Sequence, residues 1–326
     1  MSESAVPSRI TNAPRTESRQ IALAYCYVFL AAIMWGLIGP LSKYAFSQGM
    51  GTVDVGFWRT TLAFVMYAVH ACVIKEVRIY KADIPIIFAF GICGIAGLFG
   101  FYVVAVREGG AALASVLLYT APAWVALLSY CVLKERMTVL KIAAVATTIV
   151  GVALVSFGPN LFGHASLTFT TAAIVFGLLS GFSYALYYIF GKKFLSRYKT
   201  PTLLAYAMPV GALALAPFCS FSIPNPESFI ACIGIAFVST YGAYSVYYAG
   251  LKHLEATRAS VVATMEPVVA SVVAYFWFGE HFDYTGYVGA GLILGSVLLT
   301  VWDGVRDGNG GKRKSATEGK DENSNR

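Results

Sequence analysis

From residue 21 to residue 303 the chain is a succession of apolar stretches about twenty residues long, separated by short polar breaks. A helix of about twenty residues is as long as the hydrocarbon core of a bilayer is thick, roughly 30 Å. Backbone in lipid must satisfy its own hydrogen bonds, so a spanning chain forms helices or a closed barrel. Barrel strands alternate apolar and polar residues, and these runs do not. Ten runs can be marked, at 21–46, 55–74, 84–106, 111–133, 138–157, 169–190, 202–222, 228–250, 257–278 and 285–303. Charge is correspondingly scarce. Of twenty-four Lys and Arg and seventeen Asp and Glu, residues 1–20 hold five and residues 303–326 hold eleven. The 282 residues between carry only twenty-five, too few to solvate a water-soluble protein of this size. A soluble enzyme, a nucleic-acid-binding domain and a disordered tail protein are excluded. The fold class is an all-α integral membrane protein with ten transmembrane helices.

Lys and Arg fix the orientation. With the N-terminus cytoplasmic, the inner segments hold twenty-one of the twenty-four, and only Lys43, Arg59 and Arg107 fall on the other side or in the membrane. Both termini are therefore expected in the cytoplasm and the 158–168 loop outside, and the net charge of +7 is a topology signal. Residues 1–20 and 304–326 read as cytoplasmic tails, polar enough to stay disordered, and no cleavable signal sequence is evident. Cys26, Cys72, Cys93, Cys131, Cys219 and Cys232 lie singly in apolar runs without metal-ligand spacing, and read as small packing residues.

The chain repeats itself. A shift of 145 residues lays Ser115, Pro122 and Glu135 on Ser260, Pro267 and Glu280, and seven of the twenty-five positions of 111–135 are identical. Composition alone gives about two. At a shift of 149, Trp35 falls on Tyr184 and Lys43 on Lys192. Each unit, 21–157 and 169–303, holds five spans. Five is odd, so the second unit enters the membrane from the opposite side, and two inverted five-helix repeats point to a secondary transporter with its site near the midplane. A duplicated scaffold without transport is the alternative.

Trp35–Gly36, Phe57–Trp58–Arg59, the Ala114–Ser115 to Glu135 run and its counterpart Ala259–Ser260, Glu266–Pro267 and Glu280 occur in an order that resembles the EamA-like branch of the drug/metabolite transporter superfamily. The resemblance covers 21–303. It implies a ten-helix fold whose central cavity is lined by helices 1, 3, 4, 6, 8 and 9. It also implies export of amino acids, metabolites or toxic compounds, and a bacterial inner membrane as location.

Single residues sharpen this picture. Pro122 and Pro267 sit mid-span, where each removes a backbone hydrogen bond; they read as hinges lining the pathway or as static kinks. Glu266 is the one acid near a span centre. It would bind a substrate amine, carry a coupling proton, or pair structurally, for instance with Arg59. Arg59 and Lys43 lie near outer span ends and read as interfacial, paired, or clamps for a carboxylate. His70 and the belt residues Tyr80 and Tyr198 read as interfacial, and Glu135 and Glu280 as helix-end ties. Tyr241, Tyr244 and Tyr248 share a helical face in span 8, and Tyr184 and Tyr188 do so in span 6. With Trp35, Phe99, Tyr102, Ser115 and Tyr119 they would wall an aromatic cavity punctuated by hydroxyls, or serve as bulky filler. Gly91, Gly94, Gly97 and Gly100, and Gly286, Gly289, Gly291 and Gly295, form stripes that allow close helix packing, or sliding.

The expected function is export of small metabolites by alternating access, amino acids foremost and aromatic or bulky hydrophobic ones favoured. Toxic or cationic drugs and sugar-nucleotide-type substrates are the alternatives within the class, and an integral membrane enzyme is a remote one. No GxxxxGK[ST] segment is present, so ATP drive within this chain and any cofactor are not expected, whereas proton coupling is compatible. The partners are a small-molecule substrate and the bilayer, not nucleic acid, with the protein a monomer or a weak homodimer.

Overall fold

A computed structural model describes residues 13–161, 170–221, 225–279 and 284–324. Among the described residues the chain is helical without strands. The helices are α1 (Ala13–Gly36), α2 (Ile38–Ser47), α3 (Thr52–Val73), α4 (Ile84–Phe90), α5 (Gly97–Leu118), α6 (Ala121–Leu128) and α7 (Val139–Leu161). They continue as α8 (Thr171–Phe194), α9 (Thr200–Leu215), α10 (Pro226–Gly234), α11 (Ala243–Leu251), α12 (Ala256–Ala263), α13 (Glu266–Phe278) and α14 (Tyr284–Ser324). π-helical segments Gly91–Ala96 and Ile235–Gly242 join α4 to α5 and α10 to α11, and Ser129–Leu133 extends α6.

Eight segments are long and apolar enough to cross a membrane: Arg19–Ser47, Lys81–Leu118, Val139–Ser156, Thr171–Phe194, Thr200–Phe218, Pro226–Leu251, Ala256–Trp277 and Tyr284–Asp307. Two expected spans are missing from that set for identifiable reasons. α3 has the length, but Arg59, Thr60, Thr61 and His70 lower its hydropathy. The 111–133 run is divided, because α5 turns at Gly110 (φ 81°, ψ 163°) and stops at Leu118, leaving Ala121–Leu133 as a shorter apolar helix.

Irregular backbone recurs at the 145-residue shift. The π-segments fall on one another to within a residue or two, and π-turns inside α-helices favour functional places. The breaks at Tyr119–Thr120 and Thr264–Met265 coincide, each followed by a proline in the first turn of the next helix. Pro122 and Pro267 thus start new helices after a broken turn instead of kinking a continuous one, as suits a residue with no N–H to give. Thr120 and Thr264 donate both hydroxyl and amide to the carbonyls of Leu117 (2.6 and 3.2 Å) and Val261 (2.5 and 3.2 Å), closing the broken turns. Lys134 (φ 59°) and Gly279 (φ 68°) end their helices left-handed at matching positions.

Packing follows the same exchange. α8 lies against α5 and α6 as α1 lies against α11 and α13, while α3 packs on α9 and α7 on α14. The α7–α14 contact is close, since a Cβ at Gly151 would sit 2.8 Å from the Gly289 carbonyl oxygen, and Thr148 and Ser296 share a hydroxyl hydrogen bond of 2.7 Å.

Several local expectations change. The glycines of 91–100 do not make one sliding face: Gly91 meets Val210 and the Ala207 carbonyl, Gly97 meets Ser183, Gly94 lies under its own Phe90, and Gly100 faces open space. Residues three apart drift by about 60° on a helix, and the π-segment rotates them further. Cys26, Cys72, Cys93 and Cys131 are exposed on helix surfaces, whereas Cys232 is buried against Met50. Tyr198 is a buried tie and not a belt residue. Its hydroxyl donates to Asp83 Oδ2 at 2.6 Å and accepts from the Tyr80 amide at 3.1 Å. His70 Nδ1 meets the Tyr241 hydroxyl at 2.8 Å. Glu280, like His164 and His281, lies outside the described residues.

Candidate functional site

A cavity of about 560 Å³ enters the bundle between the two halves. Its mouth is formed by exposed residues at span ends, among them Lys43 and Phe46 of α2, Thr52 of α3 and Ala111 of α5. Its floor is aromatic and buried. Trp35, at the end of α1, packs edge-on against Tyr244 (ring centroids 5.2 Å) and Tyr184 (6.4 Å), and Tyr244 stacks on Tyr187 at 5.0 Å. The wall carries Phe99, Ser115 and Tyr119, with Tyr102 and Ser115 sharing a hydrogen bond of 3.1 Å. Tyr119, at the first broken turn, and Glu266 and Pro267, just past the second, therefore line it; of the recurring Ser, Pro and Glu positions only Ser115 and Pro267 do so. Glu266 and Pro267 open α13 onto the cavity, and Glu266 Oε2 accepts a hydrogen bond from the Tyr184 hydroxyl at 3.0 Å.

Arg59 also lines the cavity although it is only 5% exposed. Its Nε donates to Thr240 Oγ1 at 3.1 Å and its guanidinium carbon lies 4.9 Å from the Phe99 ring centroid. Thr240 can meet it because the π-segment turns that hydroxyl toward α3, where Tyr67 also donates to the Tyr241 carbonyl (2.8 Å). Wider π-turns expose backbone carbonyls, and Tyr67 satisfies one of them. Asp54, a neighbour of Arg59 in sequence, turns away and accepts from the Ser220 amide (2.9 Å) and hydroxyl (2.6 Å). Arg59 is thus part of the buried cavity wall, held there by Thr240 and Phe99.

Nine residues read as lining from the sequence therefore converge here: Trp35, Phe99, Tyr102, Ser115, Tyr119, Tyr184, Tyr244, Glu266 and Pro267. Four lie elsewhere. Tyr188 sits behind the floor against Tyr184 and Tyr247. Tyr248 is fully buried and donates to the Tyr187 carbonyl at 3.2 Å. Tyr241 faces Tyr67 and His70 on the α3 side. Residues spaced i, i+3, i+7 cover an arc of about 60°, wide enough to face two neighbouring helices. Pro122 is buried in packing. Spans beyond the expected six also contribute: the second through Arg59 of α3 and the fifth through Val155 and Ser156 of α7.

The opposite end of the bundle is tied shut by charged groups at helix ends. Glu135 accepts from the amides of Ala256 (2.7 Å) and Thr257 (3.3 Å) and from the Thr257 hydroxyl (2.9 Å), capping α12 from the other half of the chain. Lys192 donates to the carbonyls of Leu251 (2.9 Å), Lys252 (3.3 Å) and Leu254 (2.5 Å), at the end of α11. A carboxylate at a helix N-terminus and an ammonium at a C-terminus both suit the helix dipole. Beside them Arg258 pairs with Asp303 (2.9 Å), Asp307 and Glu255 (3.2 Å), and Lys141 reaches the same Glu255 oxygen at 2.7 Å.

A model of the EamA-like transporter family matches the chain twice, over residues 22–157 and 171–302. An uncharacterized transporter of Archaeoglobus fulgidus is 30% identical over 278 residues, covering 83% of this chain and 96% of its own length. A probable terminal-alkyne amino-acid exporter of Streptantibioticus cattleyicolor is 28% identical, covering 86% of this chain and 94% of its own. A probable amino-acid metabolite efflux pump of Salmonella typhimurium is 24% identical, with 84% and 93% covered. A solved crystal structure has the same fold, with a TM-score of 0.75 at 15% identity over 87% of this chain and 98% of that one.

Proposed function

Because the chain belongs to the EamA-like transporter family and is a multi-pass membrane protein, we propose that it is a secondary exporter of amino acids, aromatic and bulky hydrophobic ones foremost, working by alternating access. The observation that carries the reading is the cavity itself: an aromatic floor of Trp35, Tyr184 and Tyr244 with the buried Arg59 and the partly buried Glu266 in the same walls. Aromatic faces suit flat or bulky apolar side chains, and the two charges suit a small polar head. Two relatives named as probable exporters of amino acids or their metabolites agree with it.

The ten-span reading treats α3 and the divided Ala111–Leu133 stretch as crossings, giving five-helix repeats at 21–157 and 169–303 flanked by cytoplasmic tails at 1–20 and 304–326. The backbone irregularities that recur 145 residues apart and the twofold match to one family model support inverted repeats. Pro122 and Pro267, each next to a broken turn, are the hinges of that arrangement. By the Lys and Arg distribution the cavity opens outward and the tied end faces the cytoplasm of a bacterial inner membrane. In protein lacking the exposed Cys26, Cys72, Cys93 and Cys131, Ser47→Cys is expected to react with an impermeant maleimide added outside cells and Glu76→Cys only after lysis; the reverse pattern would overturn the orientation.

Glu266 is the group at which transport would be linked to protons, since a carboxylate this deep carries its charge only at a cost that water, a cation or a proton relieves. In proteoliposomes an imposed pH gradient should accelerate amino-acid movement by wild type, and Glu266→Gln should abolish that acceleration while leaving downhill exchange measurable. Retention of the full proton response by the variant would remove Glu266 as the coupling site.

A further inference from the structure

Resting on the reading of this cavity as an amino-acid site, we propose that Arg59 receives the substrate carboxylate and Glu266 its ammonium group, so that the site selects zwitterions and places their side chains over the Trp35–Tyr184–Tyr244 floor. Arg59 is buried, yet it ion-pairs with no carboxylate among the described residues. Asp54, the acid nearest in sequence, is committed to Ser220. One guanidinium edge is used by Thr240, and the plane rests against Phe99. The two terminal nitrogens make no hydrogen bond among the described residues and are not sealed from the cavity. A guanidinium held in position from behind, with its fork presented to a cavity, has the geometry that recognises a carboxylate bidentately.

Glu266 has the complementary condition. Its carboxylate takes the hydroxyls of Tyr184 and Tyr119, and no cation forms an ion pair with it among the described residues, although the residue lines the same cavity as Arg59. Opposite charges left at this depth ordinarily meet, because each is expensive to bury alone. Here both line one cavity without an ion pair between them, and a zwitterion is the ligand that completes both pairs at once. The closed charge network at the tied end shows how this chain treats carboxylates and guanidinium groups whose role is structural, since Arg258 there is paired with three acids.

The test is a three-ligand comparison on detergent-purified protein, with binding followed by intrinsic fluorescence and by thermal shift. The probes are phenylalanine, phenethylamine, which lacks the carboxylate, and 3-phenylpropionate, which lacks the ammonium group. Wild type should bind phenylalanine about 10- to 100-fold more tightly than either truncated ligand, the factor expected for one charge-assisted pair. Arg59→Gln should weaken phenylalanine and 3-phenylpropionate by a similar factor and leave phenethylamine unchanged. Glu266→Gln should weaken phenylalanine and phenethylamine and spare 3-phenylpropionate. Equal loss for all three ligands in Arg59→Gln, or equal affinity of wild type for phenylalanine and phenethylamine, would overturn the assignment while leaving an amino-acid site standing. Binding of none of the three would overturn the amino-acid reading as well. The wild-type comparison needs no variant, so a misfolded Arg59→Gln protein does not shelter the proposal.

Discussion

Arg258→Met is expected to destabilise the protein more than any substitution in the cavity, by about 3–5 kcal/mol, the usual result of removing one partner from a buried ion pair. Arg258 is 8% exposed and Asp303 7%, so neither is solvated by bulk water. The guanidinium joins α12 to α14 through Asp303 and Asp307, and to Glu255 at the start of its own helix. Removing it leaves Asp303 buried beside Asp307 and Glu255 with like charges and no Arg258 cation between them. Proteins are stable by only about 5–15 kcal/mol, so such a loss should be visible as a large drop in the unfolding temperature of detergent-purified protein. Arg258→Met combined with Asp303→Asn and Asp307→Asn should recover much of it, because neutral amides relieve the repulsion. An unchanged melting profile for Arg258→Met alone would show the network to be a solvated surface cluster.

The second large effect is conformational. Glu135→Ala with Lys192→Met removes six hydrogen bonds that tie the α11–α12 turn to both halves of the chain. If charge-assisted bonds contribute about 1.5–3 kcal/mol each in net terms, losing even two should move the equilibrium toward an inward-open form by at least about 100-fold. Ser115 and Ser260 report it, being repeat-mates placed on opposite sides of the floor. Ser115 lines the cavity, whereas Ser260 is fully buried beneath the tied end and donates to the Thr257 carbonyl at 2.7 Å. In wild type a cysteine at 115 should react quickly with a soluble thiol reagent and one at 260 hardly at all. In the double variant the order should reverse, with position 260 reacting on the order of 100-fold faster. Faster labelling at 260 with no slowing at 115 would mean local fraying instead of alternating access.

The all-helical, multi-span character is legible in the sequence because lipid imposes it: run length and charge scarcity both follow from what a bilayer tolerates. The cavity is legible in part. Trp35, Tyr184 and Glu266 stand out because aromatic and charged residues are conspicuous at mid-span. Tyr241 and Tyr248 mislead because a helical face says which residues share a side and not which neighbour occupies it. Arg59 reads as lying near an outer edge, and only the depth of the cavity shows that this edge is buried wall. The π-segments leave no mark in the sequence, since a wider turn depends on tertiary partners such as Tyr67 and Arg59, which contact the Thr240–Tyr241 region across more than 170 residues. Arg258 and Lys141 register in the sequence only as topology markers, and Lys192 as one of these and as the repeat counterpart of Lys43. Arg258 meets Asp303 across 45 residues and Lys192 meets Leu254 across 62, separations that periodicity does not reach.

Counterflow in proteoliposomes tests the central claim most directly. Vesicles loaded with millimolar unlabelled phenylalanine, without nucleotide or imposed gradient, should accumulate labelled phenylalanine transiently above equilibrium, and loading with a sugar should give no overshoot. Uptake indistinguishable from protein-free vesicles for phenylalanine and for every other aromatic or branched amino acid would contradict the account of this protein as an amino-acid carrier.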